Sequence, residues 1–284
     1  MKPIRAVAVF PTLFTLGNLM CGFFAVVVAS RIEKPTTADF VPAPRVESAR
    51  ELLTSEDPTQ NLMLSGALIL LAMVFDSVDG QMARLARSTS DFGAQLDSLC
   101  DLMSFGMAPA FLLVKMCPRF TSVHNQGVWI IAALFVCCAA LRLARFNVEM
   151  DEEDDHTTFA GLPSPAAAAV ISSFAILSYR LRSDVTLENF SGFDLRMQQM
   201  LPLFAIAIAI LMVSRIPYPH PLSQIISGQR SFAHVVAVVF FLMAVLIVGA
   251  YAVPLLCVMF VLGPPLRYAW DLVRHRRAKE EPLF

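Results

Sequence analysis

The sequence predicts an all-α, polytopic membrane protein, a helical bundle with about eight transmembrane helices. Of its 284 residues, 56% are hydrophobic and only 16% are charged, and the mean hydropathy is +0.62. Soluble domains have a more polar balance. Many apolar runs approach the roughly 20 residues that a helix needs to cross a bilayer. The net charge of −1 lacks the basic surplus of nucleic-acid binders, so no nucleic-acid partner is expected.

The apolar runs follow one another along most of the chain. The first is too long for the apolar region of a cleaved signal peptide, so we interpret it as a retained helix. The last two form one tract that Gly249 and Pro254 interrupt, which favours two helices over one. The charged segment between the first two runs contains four prolines and predicts a surface loop, with a short helix near Glu47–Leu53. The predicted spans are 10–30, 60–78, 93–115, 127–147, 163–180, 200–214, 230–249 and 250–268.

The placement of lysine and arginine predicts the orientation of the bundle. Basic residues favour the cytoplasmic side of short loops, and their distribution here places the N-terminus inside. The basic segment RYAWDLVRHRRAK near the C-terminus would then face the anionic cytoplasmic leaflet.

One stretch interrupts the apolar pattern with acidic residues. Residues 76–101 read DSVDGQMARLARSTSDFGAQLDSLCD. Asp76 and Asp79 are three residues apart, and Asp97 and Asp101 are four apart, so each pair shares one face of a helix. The first pair ends one apolar helix and the second pair opens the next. Two adjacent antiparallel helices would therefore bring four carboxylates together near the cytoplasmic edge of the membrane.

Four clustered carboxylates need compensation, because like charges repel and burial disfavours ionisation. A single aspartate at a helix end is usually an interfacial charge or a cap, but four at these spacings favour a binding site. Oxygen ligands suit hard divalent cations, and facing helices of other bundles build dinuclear sites in this way. The sequence therefore predicts two bound ions, Mg²⁺ or Mn²⁺.

The acidic stretch resembles the signature of the CDP-alcohol phosphatidyltransferase family. It matches the pattern DxxDGxxARx8GxxxDxxxD without a gap. The resemblance implies a six-helix catalytic core, a homodimer, and a cavity open to the cytosol and to lipid. It also implies that Asp76, Asp79 and Asp97 bind the two metals, and that Asp101 reaches the same metals and acts as the general base.

The resemblance further implies the residues that hold the CDP-lipid donor. Gly80 and Arg84 match positions that contact the CDP part, and Ser90 matches a position near the donor phosphates. Glycine lets a nucleotide approach the backbone, and arginine offers a planar fork to phosphate. On the first helix, Thr15 and Asn18 lie one turn apart; they either reach the nucleotide or form a polar seam between helices.

Further segments resemble one branch of the family, the bacterial and archaeal CDP-diacylglycerol–serine O-phosphatidyltransferases. This branch implies that CDP-diacylglycerol and L-serine react to give phosphatidylserine and CMP. It also implies a catalytic membrane domain at residues 1–225, followed at 226–284 by additional membrane helices and a basic cytoplasmic tail. The matching segments are FPTLFTLGNLMCGFFA, DSLCDLMSFGMAPA, ALRLARFNVE, GLPSPAAAA and LMVSRIPYP.

Serine is a zwitterion, so its carboxylate needs a cationic partner. Arg142, Arg145 and Arg215 are predicted at the inner ends of the fourth and sixth helices, where they either bind serine or extend to the membrane interface.

Two other functions remain open from the sequence. The same site would serve another alcohol, such as glycerol phosphate, inositol phosphate or choline. Alternatively, intramembrane carboxylates relay ions in a transporter, although a relay does not require Gly80 and Arg84 at fixed offsets. The leading interpretation is an enzyme of the cell (inner) membrane whose active site faces the cytoplasm.

Overall fold

The computed structural model describes residues 9–32, 57–86, 91–117, 127–151, 159–183, 191–218 and 252–280. Within them the chain is helical apart from short connections and one pair of two-residue strands. The elements are α1 (Val9–Ser30), α2 (Pro58–Ala86), α3 (Asp91–Asp101), a π-helical segment (Leu102–Met107), α4 (Ala108–Met116), α5 (Gly127–Asp151), β1 (Phe159–Ala160), α6 (Ser164–Ser183), α7 (Ser191–Val213), β2 (Pro217–Tyr218) and α8 (Ala252–Glu280).

The predicted membrane fold is confirmed. Among the described residues, six segments are long and apolar enough to cross a membrane. A shorter apolar helix, Val253–Tyr268, matches the last predicted span. The predicted span at 230–249 and the short helix near Glu47–Leu53 lie outside the described residues. The six spans are Thr12–Ser30, Pro58–Gly80, Phe92–Met116, Gly127–Val148, Ser164–Arg182 and Arg196–Val213.

Helix boundaries differ from the prediction where polar residues continue a helix. α2 extends to Ala86 rather than ending at 78, and α7 begins at Ser191 rather than at 200. α8 continues through the basic segment to Glu280 instead of ending at 268. Hydropathy reports where a helix meets lipid, whereas alanine, arginine, lysine and glutamate favour helix in water as well. The predicted tail is therefore a helical extension of α8.

Large apolar side chains fill the interior of the bundle, and others lie exposed on its outer surface. Phe105, Phe135 and Ile171 are fully buried in its core. Phe23 and Ile130 are among the large apolar side chains that remain exposed. An exposed apolar surface of this kind is unfavourable in water and suits a lipid environment.

A short antiparallel pair of strands closes one end of the bundle. Phe159 in β1 pairs with Tyr218 in β2. The turn after β1 contains Gly161, whose φ of 91° is in the left-handed region. A Cβ atom at this position would lie 2.5 Å from the carbonyl oxygen of Met212, so glycine is required where the turn crosses the end of α7.

Candidate active site

The acidic residues lie at one end of the bundle, where several helices begin or end. Hydrogen bonds join the N-terminal part of α1 to the C-terminal part of α2 and to the end of α3, so these parts meet at the same end. The C-terminal part of α5 and the N-terminus of α6 reach this end as well. This arrangement collects polar groups that are distant in sequence around one location.

α1 holds two of the four aspartates through hydrogen bonds. The Thr15 hydroxyl donates to Oδ2 of Asp79, and Asn18 Nδ2 donates to Oδ1 of Asp101 over 2.9 Å. Thr15 and Asn18 are buried, and their spacing of three residues places them on one face of α1. α1 therefore orients carboxylates from both α2 and α3, and Thr15 and Asn18 form polar contacts between the helices.

Three aspartates form a compact group that suits a cation. Asp76, Asp97 and Asp101 each offer a carboxylate oxygen, and these oxygens lie within 4.8 Å of one another. Asp79 interacts electrostatically with both Asp76 and Asp97. Like charges this close are unfavourable without a counter-ion, and oxygen donors match Mg²⁺ or Mn²⁺. The side chains present therefore fit the predicted metals, and Asp76, Asp97 and Asp101 could each offer one oxygen to an ion.

A π-helical segment follows Asp101 directly. The N–H of Ala108 bonds to the carbonyl oxygen of Met103, five residues back. Single π turns inside α-helices occur frequently at functional sites. Within this wider turn, Ser104 Oγ donates to the carbonyl oxygen of Asn18 over 2.9 Å. A Cβ on Gly22 would lie 2.7 Å from Ser104 Cα, so glycine lets α1 approach closely enough for Asn18 to reach Asp101.

Arg142 brings a cation to the edge of the acidic group. Its Nη1 donates to Ser164 Oγ over 3.0 Å, and its guanidinium interacts electrostatically with Asp101. Nε of Arg142 is buried and has no hydrogen-bond partner among the described residues. Buried donors are normally paired, so this N–H is a candidate donor to a ligand.

A second contact connects α3, which carries Asp97 and Asp101, to α5, which carries Arg142. Asn147 Nδ2 on α5 donates to Ser98 Oγ on α3 over 3.0 Å. Ser98 follows Asp97 directly, and Asn147 lies one turn and a half beyond Arg142 on α5. The pair therefore joins α3 to α5 close to the acidic group.

The other predicted site residues differ in exposure, and the side chains of two of them lie outside the described residues. Gly80 is exposed, and a Cβ added to it would meet none of the described residues within 4 Å. The backbone of Arg84 continues α2, but its side chain, like all of Ser90, lies outside the described residues. Arg145 is half-buried on α5, whereas Arg215 is exposed after α7.

Sequence reasoning missed several residues of this region. Ser98 and Ser164 were not predicted, although each lies in a segment that resembles the serine-accepting branch. Ser164 immediately precedes Pro165 at the start of α6, which is a helix-start signal. Its pairing with Arg142 depends on which helices are neighbours, and no local pattern reports that.

The fold and the site together define the class of this protein: a polytopic membrane bundle with a carboxylate cluster at one end. The CDP-alcohol phosphatidyltransferase family profile matches residues 8–216, which is most of the chain. The chain therefore belongs to the CDP-alcohol phosphatidyltransferase family, and the resemblance of the acidic signature is confirmed. The prediction of an enzyme class agrees with this membership.

Curated relatives carry related names. A CDP-diacylglycerol–serine O-phosphatidyltransferase of Methanocaldococcus jannaschii is 38% identical over 160 residues, which cover 56% of this chain and 65% of the relative. One from Helicobacter pylori (strain J99) is 29% identical over 222 residues, which cover 77% of this chain and 75% of the relative. An archaetidylserine synthase of Methanothermobacter thermautotrophicus is 36% identical over 154 residues, covering 54% of this chain and 56% of the relative.

Proposed function

We propose that this protein transfers the phosphatidyl group from CDP-diacylglycerol to the hydroxyl of L-serine, giving phosphatidylserine and CMP. The observation that carries the proposal is the group formed by Asp76, Asp97 and Asp101, with carboxylate oxygens within 4.8 Å. Family membership supports the reaction class. The names of the relatives support serine as the acceptor.

The acidic group has the composition of a dinuclear centre for phosphoryl transfer. Asp76, Asp79, Asp97 and Asp101 would hold two divalent ions, Mg²⁺ or Mn²⁺. When bound, such ions neutralise the diphosphate and stabilise the CMP leaving group. Thr15 and Asn18 restrict the rotation of Asp79 and Asp101 through their hydrogen bonds, so these carboxylates are oriented before substrate arrives. Preorganisation of this kind lowers the cost of reaching the transition state.

Asp101 is the proposed general base. Asn18 Nδ2 occupies its Oδ1, which leaves Oδ2 for a ligand. The serine hydroxyl gives its proton to Asp101 while its oxygen bonds to the lipid-side phosphorus of the donor. The bond from that phosphorus to the bridging oxygen breaks, and CMP leaves with the electron pair. Attack and proton transfer are concerted, because a carboxylate is a weak base for a free alcohol.

Two buried polar atoms beside Asp101 support a zwitterionic acceptor. Oδ1 of Asn18 and Nε of Arg142 are buried without hydrogen-bond partners in the part of the chain that the structure describes. The first accepts a hydrogen bond and suits an ammonium group. The second donates one and suits a carboxylate. Serine carries both groups next to the hydroxyl that must reach Asp101.

We call the place beside Asn18, Asp101 and Arg142 the acceptor pocket. It makes a prediction about Arg142. Arg142→Gln is expected to raise the serine KM at least ~30-fold, because losing one partner of a buried charged pair costs about 2 kcal/mol or more. Affinity for CDP-diacylglycerol should change less than about threefold, since the guanidinium faces the acceptor. The measurement is steady-state CMP release at varied serine, with donor affinity from titration.

Arg215→Gln is the matched comparison, because Arg215 is exposed and an exposed ion pair contributes about 1 kcal/mol at most. Its serine KM should rise less than about fivefold. A wild-type serine KM in Arg142→Gln would remove Arg142 from the pocket, and a larger effect at Arg215 would move the pocket there. Arg145→Gln completes the series.

The remaining parts of the proposal rest on the family resemblance, on the spacing of Thr15 and Asn18, and on the placement of the basic residues. Gly80, Arg84 and Ser90 contact the CDP-lipid, and Thr15 and Asn18 border its nucleotide. The enzyme is a homodimer in the cell (inner) membrane, surrounded by lipid, with its site facing the cytoplasm. Residues 1–225 form the catalytic domain, and residues 226–284 add membrane helices and a basic cytoplasmic segment.

One experiment tests the proposed function. Purified protein is given CDP-diacylglycerol, Mg²⁺ or Mn²⁺, and one of L-serine, glycerol phosphate, inositol phosphate or choline. CMP release and the lipid product are measured for each acceptor. We expect phosphatidylserine to exceed every other product at equal acceptor concentration. Preference for another alcohol would retain the reaction class and reject serine, whereas no CMP release with any acceptor would reject both.

A further inference from the structure

The last described helix contacts the core just beyond the region that matches the family. The family match ends at residue 216, and Tyr218 lies two residues later in β2. α8 packs against α6, and Val261 of α8 is fully buried in the core. The rings of Tyr218 and Phe260 lie 6.2 Å apart between centroids. α8 is therefore packed onto the end of the family core.

A buried hydrogen bond joins Tyr218 to the backbone of α8. The Tyr218 hydroxyl donates to the carbonyl oxygen of Val261 over 2.9 Å. In a regular α-helix this carbonyl accepts from the N–H of residue 265, but residue 265 is proline and has no N–H. Tyr218 supplies the donor that Pro265 withholds. Burial raises the pKa of Tyr218 to about 12, so its hydroxyl keeps the proton that it donates.

β2 connects this bond to the turn that begins α6. Tyr218 pairs with Phe159 across the two strands. The N–H of Gly161 donates to the carbonyl oxygen of Ile216 over 2.9 Å, and the N–H of Leu162 donates to that of Leu211 over 3.0 Å. The turn is thus bonded both to the segment that carries Tyr218 and to the last turn of α7.

The same turn leads directly to the arginine of the acceptor pocket. Ser164 is the first residue of α6, and its Oγ accepts from Arg142 Nη1. Arg142 in turn interacts electrostatically with Asp101. A continuous series of contacts therefore extends from Val261 in α8 to the edge of the carboxylate group.

We propose that Tyr218 is a positioning residue for the acceptor pocket. By bonding to the carbonyl that Pro265 leaves free, it holds the β1–β2 pair against α8, and the pair fixes the turn that places Ser164 and Arg142. This inference rests on the proposed function, because it assigns Arg142 to the acceptor. It gives the C-terminal helix a part in acceptor binding as well as in membrane anchoring.

The test is Tyr218→Phe in the full-length protein, which removes one hydroxyl and keeps the ring. We expect the serine KM to rise about tenfold, the scale of one lost buried hydrogen bond. The kcat at saturating serine and the affinity for CDP-diacylglycerol should stay within about twofold of wild type. Tyr268→Phe is the matched control, because Tyr268 lies on α8, the helix that Tyr218 contacts, but is exposed. Its serine KM should equal that of wild type.

A double variant separates positioning from general stability. If Tyr218 acts through Arg142, Tyr218→Phe combined with Arg142→Gln should have the serine KM of Arg142→Gln alone. Independent effects would multiply the two increases and overturn the inference. A wild-type serine KM in Tyr218→Phe would overturn it as well, while phosphatidylserine formation by the wild type would leave the proposed function intact. Failure of the wild type to use serine would instead reject the proposed function.

The two prolines of α8 provide a second route if Tyr218→Phe folds poorly. Pro265→Ala returns an N–H that competes with Tyr218 for the Val261 carbonyl, whereas Pro264→Ala returns one to Phe260. We expect the serine KM to rise in Pro265→Ala and to stay at the wild-type value in Pro264→Ala. Equal serine KM values in the two proline variants would contradict the inference.

Discussion

Replacing Asp101 with asparagine is expected to slow CMP release at least ~100-fold, the usual scale for losing a general base. The substitution keeps the size of the side chain and an oxygen that can accept from Asn18 Nδ2. It removes the group that takes the serine proton. Affinity for CDP-diacylglycerol should therefore stay within about threefold of wild type, because the other carboxylates still hold the metals.

The control for Asp101→Asn is the same substitution at Asp57, which precedes α2 at the end of that helix opposite to Asp76 and Asp79. Oδ1 of Asp57 accepts from the N–H groups of Thr59 and Gln60, and asparagine caps a helix about as well as aspartate. Asp57→Asn should therefore be nearly as active as wild type. Near-normal turnover in Asp101→Asn would assign the proton to another group. Loss of donor binding together with activity would show that Asp101 acts mainly as a metal ligand.

The second large effect is expected at the other carboxylates of the cluster. Asp76→Asn and Asp97→Asn should each lower turnover by ~1000-fold, because each removes a charged ligand from a centre that stabilises several kcal/mol of developing charge. Asp79→Asn should also be severely impaired. Unlike Asp101→Asn, these variants should bind Mn²⁺ more weakly, and excess metal should restore part of the activity. Turnover is measured by CMP release, and metal affinity by titration.

Protein insertion into the membrane is the necessary control for these variants, measured as purified yield and helical content. Normal yield with wild-type metal affinity and wild-type turnover in both Asp76→Asn and Asp97→Asn would exclude the cluster as the metal centre.

The fold class and the acidic group were predictable, because each depends on local or nearly local patterns. The spacing of Asp97 and Asp101 places both on one helical face. Their separation from Asp76 in the sequence is short enough that the two acidic pairs must lie on consecutive helices. The six described spans follow from apolar length alone. Bringing the two faces together required only that neighbouring helices pack side by side.

The supporting contacts were not predictable for physical reasons. The sequence places Thr15 and Asn18 one turn apart, but only tertiary packing decides that they face Asp79 and Asp101. The π-helical segment LMSFGM has no local signature that distinguishes it from an α-helix. The bond from Tyr218 to Val261 joins residues 43 apart in the sequence and depends on a proline in α8, a pairing that no periodicity reports.

Metal dependence of the reaction tests the central claim most directly. Purified enzyme is stripped with a chelator, and CMP release from CDP-diacylglycerol and serine is measured before and after Mg²⁺ or Mn²⁺ is returned, with Mn²⁺ bound per chain counted in parallel. We predict that release falls at least ~100-fold without metal and returns with it. We also predict two Mn²⁺ per chain at saturation and fewer in Asp97→Asn. Undiminished CMP release in chelator, or equal Mn²⁺ binding by wild type and Asp97→Asn, would contradict the account.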